Sequence, residues 1–333
     1  MKNRPGARCQ GAVHRAGTVL FIALLAACSS SSSSPSAAPA PSISVATTTS
    51  STVPGSKPSA GCAHAGARAA RGDAVRQVTT AGVVHPYLLA VPADSQPAHP
   101  APLVLLFHGY GSDAREFAAL TRMPTVGPAR GVIVVTPDGP GRTWQLSGTG
   151  TDAQFVDAVV ASLAKTMCVD LHRVYAAGFS QGAAFTIFYT CARPGRVAAL
   201  ATVAVDFQLG CKKPVPYLAF HGTEDPAVPY KDGAMGASLP GVKVRGTLLN
   251  LSDWARLDRC GATPTTRTIG TEVTLRRWPH CTNTTAVELY TIDKGSHTWP
   301  GADPAASPFY TTKQIDATEL MLAFFAEHRS AGS

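Results

Sequence analysis

The chain has 333 residues, 45% of them hydrophobic, and a formal net charge of +8, enough length and apolar content to bury a sizeable core. Four basic residues, Lys2, Arg4, Arg8 and Arg15, fall within the first 27 positions with no acidic residue among them, so a chain without that segment carries +4. A bias this small and scattered excludes an electrostatic nucleic-acid binder and leaves a mildly basic, solvated surface.

The first elements are those of an export signal: a basic start, the apolar run "TVLFIALL", then Ala26-Ala27. The run is too short to stay in a bilayer as a spanning helix, so residues 1–27 read as a signal peptide that is removed. Leu25-Ala26-Ala27-Cys28 resembles the lipobox of bacterial lipoproteins. That resemblance implies acylation of Cys28 and an anchor on the outer face of the cell membrane. Residues 29–60 are nearly all Ser, Thr, Pro, Ala and Val, with one charge at Lys57. They offer too little apolar surface to order themselves, so residues 28–60 read as a disordered tether. Asn250 and Asn283 match the glycosylation pattern, but a bacterial lipoprotein makes both chance matches.

From residue 61 to 329 short β-rich runs alternate with Ala-rich segments. The runs are "HPYLLAVP", "LVLLFHG", "GVIVVTPDG", "RVYAAGFS", "VAALATVA", "PYLAFHG" and "AVELYTID". Most are continuously apolar, as strands covered on both faces of a parallel sheet must be. Between them Phe155, Val159, Leu163 and Met167 recur at steps of four, one helical face. The expected fold class is α/β: one domain, a mostly parallel central sheet and helices on both faces. In such sheets ligands bind beyond the carboxyl ends of the strands. Those ends supply His108-Gly109-Tyr110-Gly111, Asp138-Gly139, Ser180, His221 to Asp225, and the segment "DKGSHTWPG".

Six cysteines remain once Cys9 leaves with the signal and Cys28 takes lipid: Cys62, Cys168, Cys191, Cys211, Cys260 and Cys281. An even count in an exported domain implies disulfides. None has the CxxC spacing of a zinc site, and no metal is expected. Cys260 and Cys281 flank "TEVTLRRW", a segment able to fold back as a hairpin, and are the favoured pair. The pairing of Cys62, Cys168, Cys191 and Cys211 stays open.

Gly178-Phe179-Ser180-Gln181-Gly182 sits where a strand ends and a helix begins, the setting of a nucleophile elbow. An ordinary N-cap serine would explain Ser180 alone, without partners. A serine hydroxyl needs a base, and the base a carboxylate to orient it. In hydrolase order the acid follows Ser180, and Glu224 and Asp225 stand just past "PYLAFHG", with Asp225 preferred because Asp225-Pro226 opens a turn. After them come His280, His297 and His328, of which only His297 follows a strand end on a Gly-containing loop. The backbone amides of Gln181 and Tyr110 are the expected oxyanion donors. His108 and His221 read as braces for their own turns.

With these residues assembled, the chain resembles the polyhydroxybutyrate-depolymerase-like esterases, a group that takes in feruloyl and acetylxylan esterases. The likeness covers roughly residues 61–329 and rests on "LVLLFHGYG", "CVDLHRVYAAGFSQGAAF", "LAFHGTEDPAVPY", "WARLDRC" and "VELYTIDKGSHTWPG" in that order. It implies that Ser180, Asp225 and His297 form a catalytic triad and that Cys260–Cys281 is a family disulfide. The chain departs from the family at Gln181, Ala183, Tyr110 and Lys294-Gly295-Ser296, which alters the mouth of the pocket rather than the chemistry.

The reading implied is a carboxylic ester hydrolase working through an acyl-enzyme on hydroxycinnamoyl, acetyl or short polyester-type esters at the cell surface. It needs no cofactor, and nothing calls for an oligomer, so a monomer is expected. Trp144, Tyr230 and Trp299 are candidates to line the substrate pocket. An envelope acyltransferase resembling mycolyltransferases shares the acyl-enzyme and is the alternative. A non-catalytic binding module on a hydrolase fold is the third reading.

Overall fold

The computed structural model describes residues 55–63, 74–93, 99–208, 210–236, 241–282, 284–303, 305 and 309–330. The signal peptide, Cys28 and most of the tether lie outside the described residues. In chain order the elements are β1 (Ala74–Thr80), β2 (Val83–Ala90), β3 (Ala101–Phe107), α1 (Ala114–Thr121), α2 (Met123–Ala129), β4 (Ile133–Pro137) and α3 (Thr151–Thr166). There follow β5 (Val169–Phe179), α4 (Gln181–Cys191), β6 (Ala199–Val203), β7 (Tyr217–Gly222) and the short pair β8 (Gly233–Ala234) and β9 (Lys243–Val244). The chain continues through α5 (Thr247–Leu257), β10 (Thr265–Ile269), β11 (Val273–Trp278), β12 (Val287–Ile292) and α6 (Ala317–Glu327).

Ten strands form one sheet in the order β1-β2-β4-β3-β5-β6-β7-β12-β11-β10. The six from β4 to β12 run parallel. Antiparallel strands close both edges: β1 and β2 at one, β11 and β10 at the other. The apolar runs explain this layout. In β3 Leu103, Leu105 and Phe107 pack on one face and Val104 and Leu106 on the other, all fully buried, because successive side chains of a strand point to opposite faces.

Each face is covered. Phe117 of α1, Met123 of α2 and Met321, Leu322 and Phe325 of α6 lie over one. Phe155, Val156 and Val159 of α3, Phe185 of α4 and Leu251 and Trp254 of α5 lie over the other. Of the expected stripe, Phe155, Val159 and Leu163 lie on α3 and are buried, while Met167, also buried, stands just past the helix in extended backbone. The edge strand β1 escapes sequence reading because Arg76, Gln77 and Thr79 interrupt it and its residues stay partly exposed.

Three disulfides join Cys62 to Cys168, Cys191 to Cys211 and Cys260 to Cys281. The last is the expected pair, and β10 and β11 between its cysteines form the hairpin. The first corrects the boundary expected for the tether. Residues 55–60 already belong to the fold: Leu171 N–H donates to the Lys57 carbonyl at 2.8 Å, Ser59 N–H to the Val169 carbonyl at 2.9 Å, and Lys57 N–H to Asp170 at 2.9 Å. The reason is the buried Asp170 carboxylate, which needs donors, and a disulfide at Cys62 that pins the segment beside it. Among the described residues no helix is long and apolar enough to cross a membrane.

Candidate active site

The turn from β5 into α4 is built around two glycines. A β-carbon at Gly178 would overlap the Gly182 carbonyl, and one at Gly182 would overlap the Phe107 carbonyl. Between them Ser180 takes φ 54° and ψ −119°, a backbone state that costs on the order of 1–3 kcal/mol and persists only where the surroundings impose it. Its amide donates to the Val203 carbonyl of β6 at 3.0 Å. Its side chain makes no capping bond to α4, so the ordinary N-cap role does not describe this serine. It lies at the positive end of the α4 dipole.

The acid and the histidine meet beyond the carboxyl ends of neighbouring strands in the same sheet. Asp225, in the loop after β7, accepts at Oδ1 from the amides of Ala227 and Val228, both at 2.8 Å. Its Oδ2 accepts from Nδ1 of His297, after β12, at 2.8 Å. Because Nδ1 donates there, Nε2 of a neutral His297 is the free base. Burial opposes the Asp225 charge, yet the bonds from His221 and His297 hold its carboxyl well below the usual range. Glu224 points to solvent. His328 is buried against Phe324 at the end of α6, and His280 stands beside the Cys281 disulfide. The three residues expected to work together thus come from three strand ends, β5, β7 and β12. The Phe179 ring lies 4.8 Å from that of His297, between centroids. No hydrogen bond joins Ser180 Oγ to His297 among the described residues; in free enzymes such bonds are often long and tighten with substrate.

The loop after β3 lies against the serine: a β-carbon at Gly109 would sit 3.5 Å from Ser180 Cβ. His108 braces it as expected. Its Nε2 accepts from the Gly139 amide at 2.9 Å and its Nδ1 donates to the Gly109 carbonyl at 2.8 Å. Burial lowers the basicity of His108, consistent with this neutral tautomer. Arg142 completes the brace, a role that sequence reading misses. It donates through Nε to the Gly111 carbonyl at 2.7 Å, accepts from the Gly111 amide at 2.8 Å, and pairs with Asp113 and Glu116. The Tyr110 amide is carried on this loop and the Gln181 amide on the first turn of α4, where amides have no intrahelical partner. The Gln181 side chain accepts from Thr143 Oγ1 at 3.0 Å and Trp144 N–H at 3.1 Å.

The three aromatic residues expected in the pocket are all buried. Trp144 is buried, stacked on Phe185, with its indole N–H on the His108 carbonyl. Tyr230 is buried with its hydroxyl on Thr291, and Trp299 is buried with its N–H on Thr318. Each satisfies its polar atom inside the protein, so each packs rather than lines an open site. A cavity of about 650 Å³, lined by Gly55, Cys191, Lys212, Lys213, Pro216 and Thr285 among others, lies at the opposite, amino ends of β6, β7 and β12. It is lined by none of Ser180, Asp225, His297, Tyr110 and Gln181. Among the described residues no group of three or more His, Cys, Asp or Glu is placed to hold a metal.

The chain is 29% identical over 214 residues to "Feruloyl esterase B" of Piromyces equi, covering 59% of this chain and 39% of that one. It is 27% identical over 192 residues to "Feruloyl esterase D" of Neurospora crassa, covering 52% and 63%. It therefore spans less than two thirds of either relative. Among solved structures, the acetyl xylan esterase from Aspergillus awamori superposes with a TM-score of 0.55 at 15% identity, covering 76% of this chain and 99% of that one, a likeness of fold. Residues 103–326, more than half of the chain and running from within β3 to within α6, match the Alpha/beta hydrolase family, and the chain belongs to it.

Proposed function

We propose that the protein is a carboxylic ester hydrolase with Ser180 as nucleophile, His297 as general base and acid, and Asp225 as the residue that orients His297. One observation carries the reading: the Asp225–His297 bond of 2.8 Å, formed beyond the same carboxyl ends of the sheet as a strained serine whose side chain caps nothing. Ser180 Oγ attacks the ester carbonyl and its proton passes to His297 Nε2. Asp225 stabilises the resulting imidazolium, and the proton then leaves with the alcohol. Water, activated by the same histidine, cleaves the acyl-enzyme. The amides of Tyr110 and Gln181 receive the oxyanion, a contribution worth about 2.7–4 kcal/mol per donor in such sites.

The two feruloyl esterases support hydroxycinnamoyl esters as the first acyl donors to try, with acetyl esters next. Lipid on Cys28 would hold the domain at the outer face of the membrane through the tether, and the three disulfides suit an oxidising compartment. The deciding experiment compares the full chain with its Ser180→Ala variant on methyl ferulate and p-nitrophenyl acetate. Wild type turns over and the variant loses about 10⁴–10⁶ in kcat. A folded wild type that does no better than the variant overturns the reading.

A further inference from the structure

Behind Asp225 stands a second histidine that the proposed reaction does not use. His221, the penultimate residue of β7, is buried, and both of its ring nitrogens face oxygen acceptors. Nδ1 lies 2.7 Å from Asp206 Oδ2; Nε2 lies 2.9 Å from the Val228 carbonyl and 3.5 Å from Asp225 Oδ2. A bare nitrogen lone pair against a carboxylate oxygen or a carbonyl oxygen would be repulsive at these distances, so both nitrogens carry protons. His221 is then a buried imidazolium between two buried carboxylates.

The surroundings are built to keep it so. Asp206, just past β6, accepts at Oδ1 from Asn250 of α5 at 2.8 Å, and Thr247 Oγ1 of α5 lies 2.9 Å from His221 Nδ1. Tyr230 packs its ring edge-on at 5.6 Å. The other ionisable neighbours are His297, beyond Asp225, Tyr217, whose hydroxyl is bonded to Thr202 at 2.6 Å, and Arg276, held on the Thr291 hydroxyl that Tyr230 also bonds. Without a positive charge between them, Asp206 and Asp225 would be two buried carboxylates sharing one site, and one of them would take up a proton. With His221 charged, Asp225 stays ionised.

We propose, resting on the ester-hydrolase reading, that the Asp206–His221 ion pair is a positioning unit for the active site. It fixes the Asp225 carboxylate toward His297 and sets how far into acid the enzyme still works. The imidazolium favours the ionised form of Asp225, the form that orients His297. Burial alone would strip the proton from His221; the carboxylates of Asp206 and Asp225 outweigh it and raise the imidazole to about 10, so the charge persists across the working range.

The test is the pH profile of kcat/KM on the full chain for wild type, His221→Gln and Asp206→Asn. Gln keeps a neutral donor toward Val228 and Asp225, and Asn removes the counter-ion. His221→Gln is expected to move the acid limb upward by about one pH unit, the scale of a charge some ångströms away in a protein interior, and Asp206→Asn to move it the same way by discharging His221, with the alkaline plateau of kcat/KM held within about tenfold. Folded variants with an unmoved acid limb overturn the proposal. Should neither variant fold, ¹⁵N-labelled wild type decides: the His221 ring, assigned through its contact with Tyr230, shows both nitrogens protonated at pH 8, and a neutral tautomer there overturns the proposal. Loss of Ser180-dependent turnover in wild type would instead sink the hydrolase reading, while the ring protonation remains a direct measurement of the ion pair.

Discussion

Asp225 divides its two oxygens between different tasks. Oδ1 closes its own turn on the amides of Ala227 and Val228, and Oδ2 receives His297. In Asp225→Asn the oxygen can still serve the turn, so the loop should survive. The NH₂ group then faces Nδ1 of His297 and forces that nitrogen to accept, which moves the proton to Nε2 and leaves no base for the serine. The expected loss is about 10⁴ in kcat with little change in KM or thermal stability, checked by kinetics on p-nitrophenyl acetate and a melting curve. A loss below tenfold would show that Asp225 does not orient the base. At this scale the sequence was legible wherever position along a strand decided the matter. Ser180, Asp225 and His297 each follow a strand, whereas Trp144, Tyr230 and Trp299 carry no mark that separates a packed ring from an exposed one. Asp206 follows a strand too, in "ATVAVD", and reading that strand end would have found it.

At the scale of elements, α5 ends on a buried carboxyl. Asp258 is its C-cap, accepts from the Val215 amide at 3.1 Å and is fully buried. Burial raises it from the ordinary 3.8 to about 7, and the negative end of the helix dipole further disfavours its charge. The sign follows from linkage: the folded protein holds a proton that the unfolded chain has released. Stability from this group is therefore full below about pH 3.8 and is lost as pH rises through about 7, a change of up to roughly 4 kcal/mol. Asp258→Asn keeps the acceptor for Val215 and has no charge to bury. Its melting temperature is expected to overtake that of wild type as pH is raised from 5 to 8; parallel curves would show that Asp258 is not protonated in the fold. The cause is tertiary. The segment before β7 donates to the Asp258 carboxyl through the Val215 amide, and the Cys260–Cys281 loop donates to its carbonyl through the Thr282 amide.

Over the whole molecule, the Cys62–Cys168 disulfide ties the entry of the chain to the start of β5 across 106 residues. Asp170 beside it accepts from the Lys57 amide, the His172 amide, Arg173 and Arg329, so both ends of the described chain converge on one carboxylate. Closing so long a loop restricts the unfolded chain, and losing the bridge is expected to cost about 2–5 kcal/mol. Thermal unfolding of the Cys62→Ser, Cys168→Ser double variant should show a melting temperature lower by on the order of 10 °C; an unchanged value would show that the Asp170 bonds alone hold the segment. The sequence by itself determined the βαβ alternation, the strained serine between two glycines, the strand ends that carry Asp225 and His297, and the Cys260–Cys281 hairpin. These are properties of neighbours along the chain: hydrophobic period, turn chemistry and position at a strand end. Tertiary structure alone decided that Gly55 to Ala60 join the fold, that the aromatic candidates are packed away, and that Asp206 and His221 form a charged pair behind Asp225. Burial and partnership are set by residues that are distant in sequence, and no local pattern encodes which of them will meet.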